Sequence, residues 1–289
     1  MSIRILQGSA ALAGALLAWM ALAVSVKAAG PAPLVVATYA YPQRDRAAAI
    51  QPLADYLGRR LGRDVDVRVV ASPTVLIAGL AADEIDVAVP NLHGYLQALK
   101  LPGGSVATLP VPDVPPAQAQ RYRAVVVARV PLTGGTLAKE AARLRLVLVG
   151  PDSASGGFVP RGYLADVGIA RPEATFASVD HAGSHAASLA WLREGRADVA
   201  ALAADVYDAE PHAGLHEIWR SPVIPPGPLL CRPSADVDCT VIRDELLAAE
   251  RRDPAVMAGL RMGWPEFGDA TGLTLADEAA LAKLAERID

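Results

Sequence analysis

Uninterrupted apolar runs of four or five residues recur along the chain: Leu34-Val35-Val36-Ala37, Ala124–Ala128 and Leu146-Val147-Leu148-Val149. Runs of that length without alternation suit strands buried on both faces of a parallel sheet. Val65–Val70 alternates instead, as a half-buried strand does. Laid over itself at an offset of 112 residues, the chain repeats this plan. Leu34–Ala37 falls on Leu146–Val149, and Ile77 and Leu80 fall on Leu189 and Leu192, one face of a helix in each half. Ile85-Asp86-Val87-Ala88 falls on Ala197-Asp198-Val199-Ala200, a helix-to-strand passage. Each leading strand also runs into a helix with a proline and a Tyr-Leu pair: Pro52 with Tyr56-Leu57, and Pro160 with Tyr163-Leu164. Each half therefore reads βα…βαβ.

That alternation predicts an α/β fold of two lobes, each a mostly parallel sheet flanked by helices, with a cleft between them. Gln120–Arg129 and the proline-rich Ser221–Pro228 read as the two crossings between lobes. The expected division is 30–123 with 225–289 as the first lobe and 124–224 as the second. The tail reads as helices returning to the first lobe. One carries Leu246 and Leu247 to about Glu250; another spans Leu275–Ile288, with Thr274 placed to cap it, Asp277 three residues on, and Leu281 and Leu284 on its apolar side. Ligands of such sheets bind outside the carboxyl ends of the strands.

Composition changes the picture at the N-terminus. Arg4 is followed by an apolar run from Ala10 to Val26, and Val26-Lys27-Ala28-Ala29 ends in the small residues a signal peptidase accepts. Residues 1–29 are expected to be an export signal peptide, which places the mature chain in the periplasm; retention as an anchor is the alternative. Removing Arg4 and Lys27 from the 27 basic residues leaves 25 against 31 acidic, a net charge of −6. With no basic stripe and no aromatic platform, nucleic acid is excluded as a partner, and any anion site must work through local dipoles. In an oxidising compartment Cys231 and Cys239 suit a small-loop disulfide. His212 and His216 lack a metal motif and follow Pro211 in what reads as a loop, so neither a metal nor another cofactor is expected.

The segment that follows the second leading strand carries the candidate chemistry. Gly150-Pro151-Asp152 turns the chain, and Ser153-Ala154-Ser155-Gly156-Gly157 then opens a helix. A helix start has unpaired N–H groups and the positive end of the helix dipole, so hydroxyls and glycines there suit a small oxyanion. An ordinary N-cap would use the same residues.

Taken together these motifs resemble the phosphate/phosphite/phosphonate-type periplasmic solute-binding proteins of ABC importers, of the type II binding-protein fold. Ile50–Leu57 with Leu61-Gly62 is similar to the family's first helix. Asp86–Val89 followed by Asn91-Leu92-His93-Gly94-Tyr95 resembles its strand and N-x-x-G-Y turn. Ser153-Ala154-Ser155-Gly156 stands where the family has S-T-S-G. Gly183-Ser184-His185 and Gly195–Ala200 match its G-S-H helix and following strand, and Ser221-Pro222 to Pro228-Leu229 its return crossing. The resemblance implies an oxyanion held by Ser153, Ser155, the backbone near Ala154 and Gly156, and His185. The first lobe would close over it with Tyr39, Tyr41, Asn91 and Tyr95, although Tyr95 also fits a packed core position.

Two departures stand out. Ala154 replaces a threonine and so removes one hydroxyl. Ala203-Ala204 stands where many relatives carry an acid, with Asp205 following, which argues against an aminoalkyl phosphonate. The expected function is capture of a small phosphorus oxyanion (phosphonate, phosphite or phosphate) by a monomer, for a membrane permease and its ATPase. The alternatives are a sensor of the same fold signalling to a membrane kinase, or another anion such as a sulfonate. Catalysis is not expected, because no GxSxG elbow accompanies the serines.

Overall fold

The computed structural model describes residues 32–42 and 44–285; the expected leader lies outside them. The first half runs β1 (Leu34–Tyr39), α1 (Arg46–Leu61), β2 (Val65–Val70), α2 (Pro73–Ala81), β3 (Val87–Ala88) and α3 (Leu92–Ala98). Short elements follow: β4 (Ala107–Thr108), β5 (Val111–Pro112) and α4 (Pro116–Ala119). The second half runs β6 (Ala124–Ala128), α5 (Gly134–Glu140), β7 (Arg145–Leu148), α6 (Val159–Asp166), α7 (Pro172–Thr175) and β8 (Ser178–His181). It continues through α8 (His185–Arg193), β9 (Val199–Ala203), α9 (Ala204–Asp208) and β10 (His216–Arg220). The return comprises β11 (Leu230–Cys231), α10 (Cys239–Arg252), α11 (Ala255–Gly263), β12 (Leu273–Thr274) and α12 (Glu278–Ala285).

The two main sheets have the same plan, β2-β1-β3-β11-β4 and β8-β7-β9-β6-β10. In each, the first three strands are parallel and the fourth joins antiparallel, so the sheets are mixed beyond their parallel centres. The duplication extends to single residues. Asp86 accepts from the Val35 N–H at 2.9 Å, and Asp198, its counterpart at the 112-residue offset, accepts from the Arg145 N–H at 3.0 Å. Ser72 and Ser184 occupy matching N-caps, taking the N–H groups of Val75 and Ala187 at 3.3 and 3.2 Å. Asp83 and Gly195, again counterparts, both end their helices with positive φ, 62° and 71°.

The two crossings run side by side. Ser221 N donates to Ala124 O and Ala124 N to Ser221 Oγ, both at 2.9 Å, while Ile224 N donates to Tyr122 O at 2.9 Å. The tail packs on the first half: α11 lies against α1, where Gly259 leaves no room for a side chain beside Ala49 O and Pro52. A disulfide joins Cys231 in β11 to Cys239 at the head of α10, with Cα atoms 5.8 Å apart.

Three expectations need correction. Strand β8 was not foreseen, because Ser178-Val179-Asp180-His181 is a polar edge strand without an apolar run. His216 belongs to β10 and not to a loop, while His212 stacks on Tyr207 with ring centroids 4.0 Å apart. The last helix starts at Glu278, not Leu275: Thr274 is spent in β12, and Asp277 caps instead, accepting from Ala280 N at 3.0 Å. Among the described residues no helix is long and apolar enough to cross a membrane.

Candidate ligand-binding site

A cavity of about 670 Å³ opens where the carboxyl ends of β1, β3, β7 and β9 converge. Its floor in the second half is built by the segment after β7. Ser153 caps a single π-helical turn, Ala154–Phe158, that runs straight into α6. Such wide turns are uncommon and cluster at functional sites. This one is forced by close packing: a Cβ on Gly156 would lie 2.2 Å from Val149 Cγ2, and one on Gly157 2.1 Å from Gly150 O. The two glycines therefore let the turn sit directly on the strand end.

The hydrogen bonds decide which groups are free for a ligand. Ser153 Oγ accepts from Gly156 N at 3.1 Å, which removes that N–H but leaves the Ser153 hydroxyl proton to donate. Among the described residues the N–H groups of Ala154 and Ser155, at the head of the turn, are unpaired. His185 opens α8 from the neighbouring wall. Its Nδ1 accepts from Ala203 N at 3.0 Å, so the ring proton sits on Nε2, which is a donor only. Burial lowers its pKa to about 4, and the ring is neutral at physiological pH.

The first half supplies the opposing wall and the rim. Tyr39 and Tyr41 line the cavity from the end of β1, and the Tyr41 hydroxyl approaches the backbone N–H of His185. Burial pushes the Tyr39 hydroxyl up to about 12, so it remains protonated. Asn91 lines the cavity with its amide held in place: Oδ1 takes Gly94 N as the cap of α3, and Nδ2 donates to Asp152 O, both at 2.8 Å. Thr74 Oγ1 donates to Asp152 Oδ1 at 2.9 Å. Asp152 thus fastens the two halves at the cavity rim, and the His93 ring meets Phe158 edge-on at 5.1 Å beside it.

Of the residues singled out from sequence, Tyr39, Tyr41, Asn91, Ser153, Ala154 and His185 meet at this cavity. Ser155, Gly156 and Tyr95 do not line it. Ser155 is buried behind the turn, its hydroxyl unpartnered and facing Tyr122. Tyr95 is fully buried, with its hydroxyl 3.3 Å from Thr108 Oγ1. Ala154 is 3% exposed and packs into the first-half cluster of Leu92, Tyr95 and Leu96. The cavity also gathers residues that the sequence did not flag: Arg46 at the head of α1, Tyr122 in the outward crossing and Glu266 in the turn after α11. Asp205, at the head of α9, lines it too, so the cleft does carry acids despite Ala203-Ala204.

The chain and its fold match known proteins. The family model described as the periplasmic substrate-binding protein of the phosphonate ABC transporter matches residues 35–272. Among solved structures, a Xanthomonas citri protein bound to ATP is similar with a TM-score of 0.70, at 20% identity over 88% of this chain and 96% of that one. PhnD1 from Prochlorococcus marinus, in complex with methylphosphonate, is similar with a TM-score of 0.66, at 17% identity over 89% and 97%. A binding-protein component of an ABC phosphonate transporter from Pseudomonas aeruginosa gives 0.59, at 19% identity over 89% and 96%. No curated protein matches the chain. The architecture is that of the type II periplasmic binding proteins, two mixed sheets flanked by helices.

Proposed function

Because the chain belongs to the family of periplasmic substrate-binding proteins of phosphonate ABC transporters, we propose that the cavity between its two sheets is where it holds the phosphonate end of its ligand. The carrying observation is the set of donors left unspent there. The Ser153 hydroxyl proton, the Ala154 N–H and Nε2–H of His185 belong to residues lining the cavity and have no acceptor among the described residues. An oxyanion accepts from all of them, and charge-assisted bonds of this kind are the stronger ones. The donors are neutral, which suits a chain whose mature net charge is negative.

The protein binds and releases; it performs no chemistry. Ser153 Oγ is tied to Gly156 N, His185 Nδ1 to Ala203 N, and a histidine ionising at about 4 is a weak base at neutral pH. Residues 1–29 direct export, the mature protein works as a monomer in the periplasm, and the loaded form delivers its ligand to a permease and ATPase. The lobes, 30–123 with 225–289 and 124–224, move about the paired crossings as ligand enters.

Isothermal titration of the exported chain with methylphosphonate, phosphite, phosphate and ethanesulfonate tests the assignment. At least one phosphorus oxyanion should bind, and Ser153→Ala and His185→Gln should each weaken it about ten- to a hundredfold, the loss of one hydrogen bond to a charged group. If no phosphorus oxyanion binds, or if neither substitution changes the affinity, the cradle assignment fails.

A further inference from the structure

The oxyanion cradle accounts for one end of the cavity only. At about 670 Å³ the space suits an organic ligand rather than a bare tetrahedral anion. Across from the turn lies Arg46, 4% exposed. Its guanidinium carbon stands 3.9 Å over the Trp264 ring, 4.6 Å over Tyr39 and 5.4 Å over Tyr41. Nε and Nη1 are buried without a hydrogen-bond partner, and among the described residues Arg46 makes no ion pair. The rings offset part of the cost of burying this cation, and Glu266 acts on it only through space, without the direct contact that a buried ion ordinarily has.

Two carboxyls line the same cavity, Glu266 from the first half and Asp205 from the second. Among the described residues neither side chain forms an ion pair. Burial raises both pKa values, Asp205 raises that of Glu266 further, and the cations Arg46 and Arg44 draw it back only in part. Arg44, the other cation at the cavity, bonds Met262 O at 3.0 Å and acts on both acids only through space, pairing with neither. A ligand bearing only an ammonium group would satisfy the acids and leave Arg46 facing a second positive charge. One bearing only a carboxylate would pair with Arg46 and be repelled by the acids. A single carbon carrying both groups meets all three.

Resting on the phosphonate reading above, we propose that the ligand is a phosphonate with an α-amino-acid head, its carboxylate on the Arg46 fork and its ammonium against Glu266 and Asp205. Planar, bidentate capture of a carboxylate is what a guanidinium does best, and the aromatic rings around Arg46 hold that fork in one orientation.

The test is titration calorimetry on the exported chain with four probes that share the phosphonate. Methylphosphonate has neither extra group, aminoethylphosphonate the ammonium, phosphonopropionate the carboxylate, and phosphonoalanine both. Phosphonoalanine should bind at least about tenfold more tightly than each of the others, the coupling expected of close charge pairs. Glu266→Gln, with folding checked by circular dichroism, should cut the ratio of phosphonoalanine to methylphosphonate affinity about tenfold. Equal affinity for aminoethylphosphonate and phosphonoalanine overturns the proposal by removing Arg46 from recognition. An unchanged ratio in Glu266→Gln overturns it as well. Failure of all four probes to bind instead sinks the phosphonate reading, and the two failures are thereby distinct.

Discussion

His185 opens α8 with one ring nitrogen bonded to Ala203 N, and the burial of the ring there disfavours its protonated form. The unfolded chain takes up a proton on this histidine as pH falls through 6.5, whereas the folded chain does so only near 4. The stability associated with neutral His185 is therefore complete above about 6.5 and is lost as pH falls toward 4, by up to roughly 3 kcal/mol. Asp205 and Glu266, whose carboxyls burial holds up, act with the opposite sign. The measurement is accordingly a difference: urea midpoints at about pH 7 and about pH 4.5 should diverge less in His185→Gln than in the native chain. A second residue-scale expectation concerns the matched helix ends. Gly195→Ala should lower stability by about 1–2 kcal/mol, since φ is 71° there and the Cβ would lie 2.7 Å from Arg129 Nη1. Asp83→Gly relieves the same conformation at φ 62° and should raise the melting temperature slightly, since the Asp83 carboxylate is exposed and Arg232, 3.1 Å away, keeps Asp86 as a partner.

At the level of elements, the π-helical turn Ala154–Phe158 is the part most dependent on its sequence. Gly157→Ala places a methyl 2.1 Å from a carbonyl oxygen, and the expected cost is about 1–3 kcal/mol, with weaker ligand binding as the turn lifts off β7. Thermal denaturation and calorimetry on the one variant check both. What was legible beforehand follows the strength of local signals. β1, β3, β7 and β9 announced themselves because strands buried on both faces must be apolar throughout, and the 112-residue offset aligned them. The Ser153 cap was visible because capping chemistry is local. The π geometry was not, since it arises from contact with Val149 and Gly150. Edge strand β8 and the two-residue strands β4, β5 and β12 carry too few apolar residues to be seen. Arg46 and Glu266 were also invisible, because a helix head and a turn far apart in sequence meet only after α11 folds onto α1.

For the molecule as a whole, the proposed opening and closing of the lobes turns on Asp152, which bonds both halves at the cavity rim. Its backbone oxygen serves Asn91 and its carboxylate serves Thr74, one residue before the Ser153 cap. Asp152→Ala keeps the first bond and removes the second. We expect the unliganded protein to shift toward open forms and ligand release to quicken about fivefold, the worth of one hydrogen bond of about 1 kcal/mol. Small-angle scattering should show a larger radius of gyration without ligand, and stopped-flow displacement the faster release. Under that proposal the paired crossings at Ala124 and Ser221 would flex, and Tyr122, bonded to Ile224 and lining the cavity, joins them to the site.

Trp264 gives the site an optical voice. The indole is fully buried, with a guanidinium 3.9 Å over one face and Phe267 stacked at 5.6 Å. A fixed charge against an indole shifts the energy of its emission, because excitation moves electron density across the ring system. Trp191 under Arg196 and Trp219 against Tyr163 lie in the second half, away from the cavity lining. A carboxylate arriving at Arg46 therefore changes the field at Trp264 selectively. Phosphonoalanine should move the protein's intrinsic fluorescence where methylphosphonate does not, and Trp264→Phe should silence that difference. The stack that shelters an unpaired cation would then double as an unlabelled sensor of what the cavity holds.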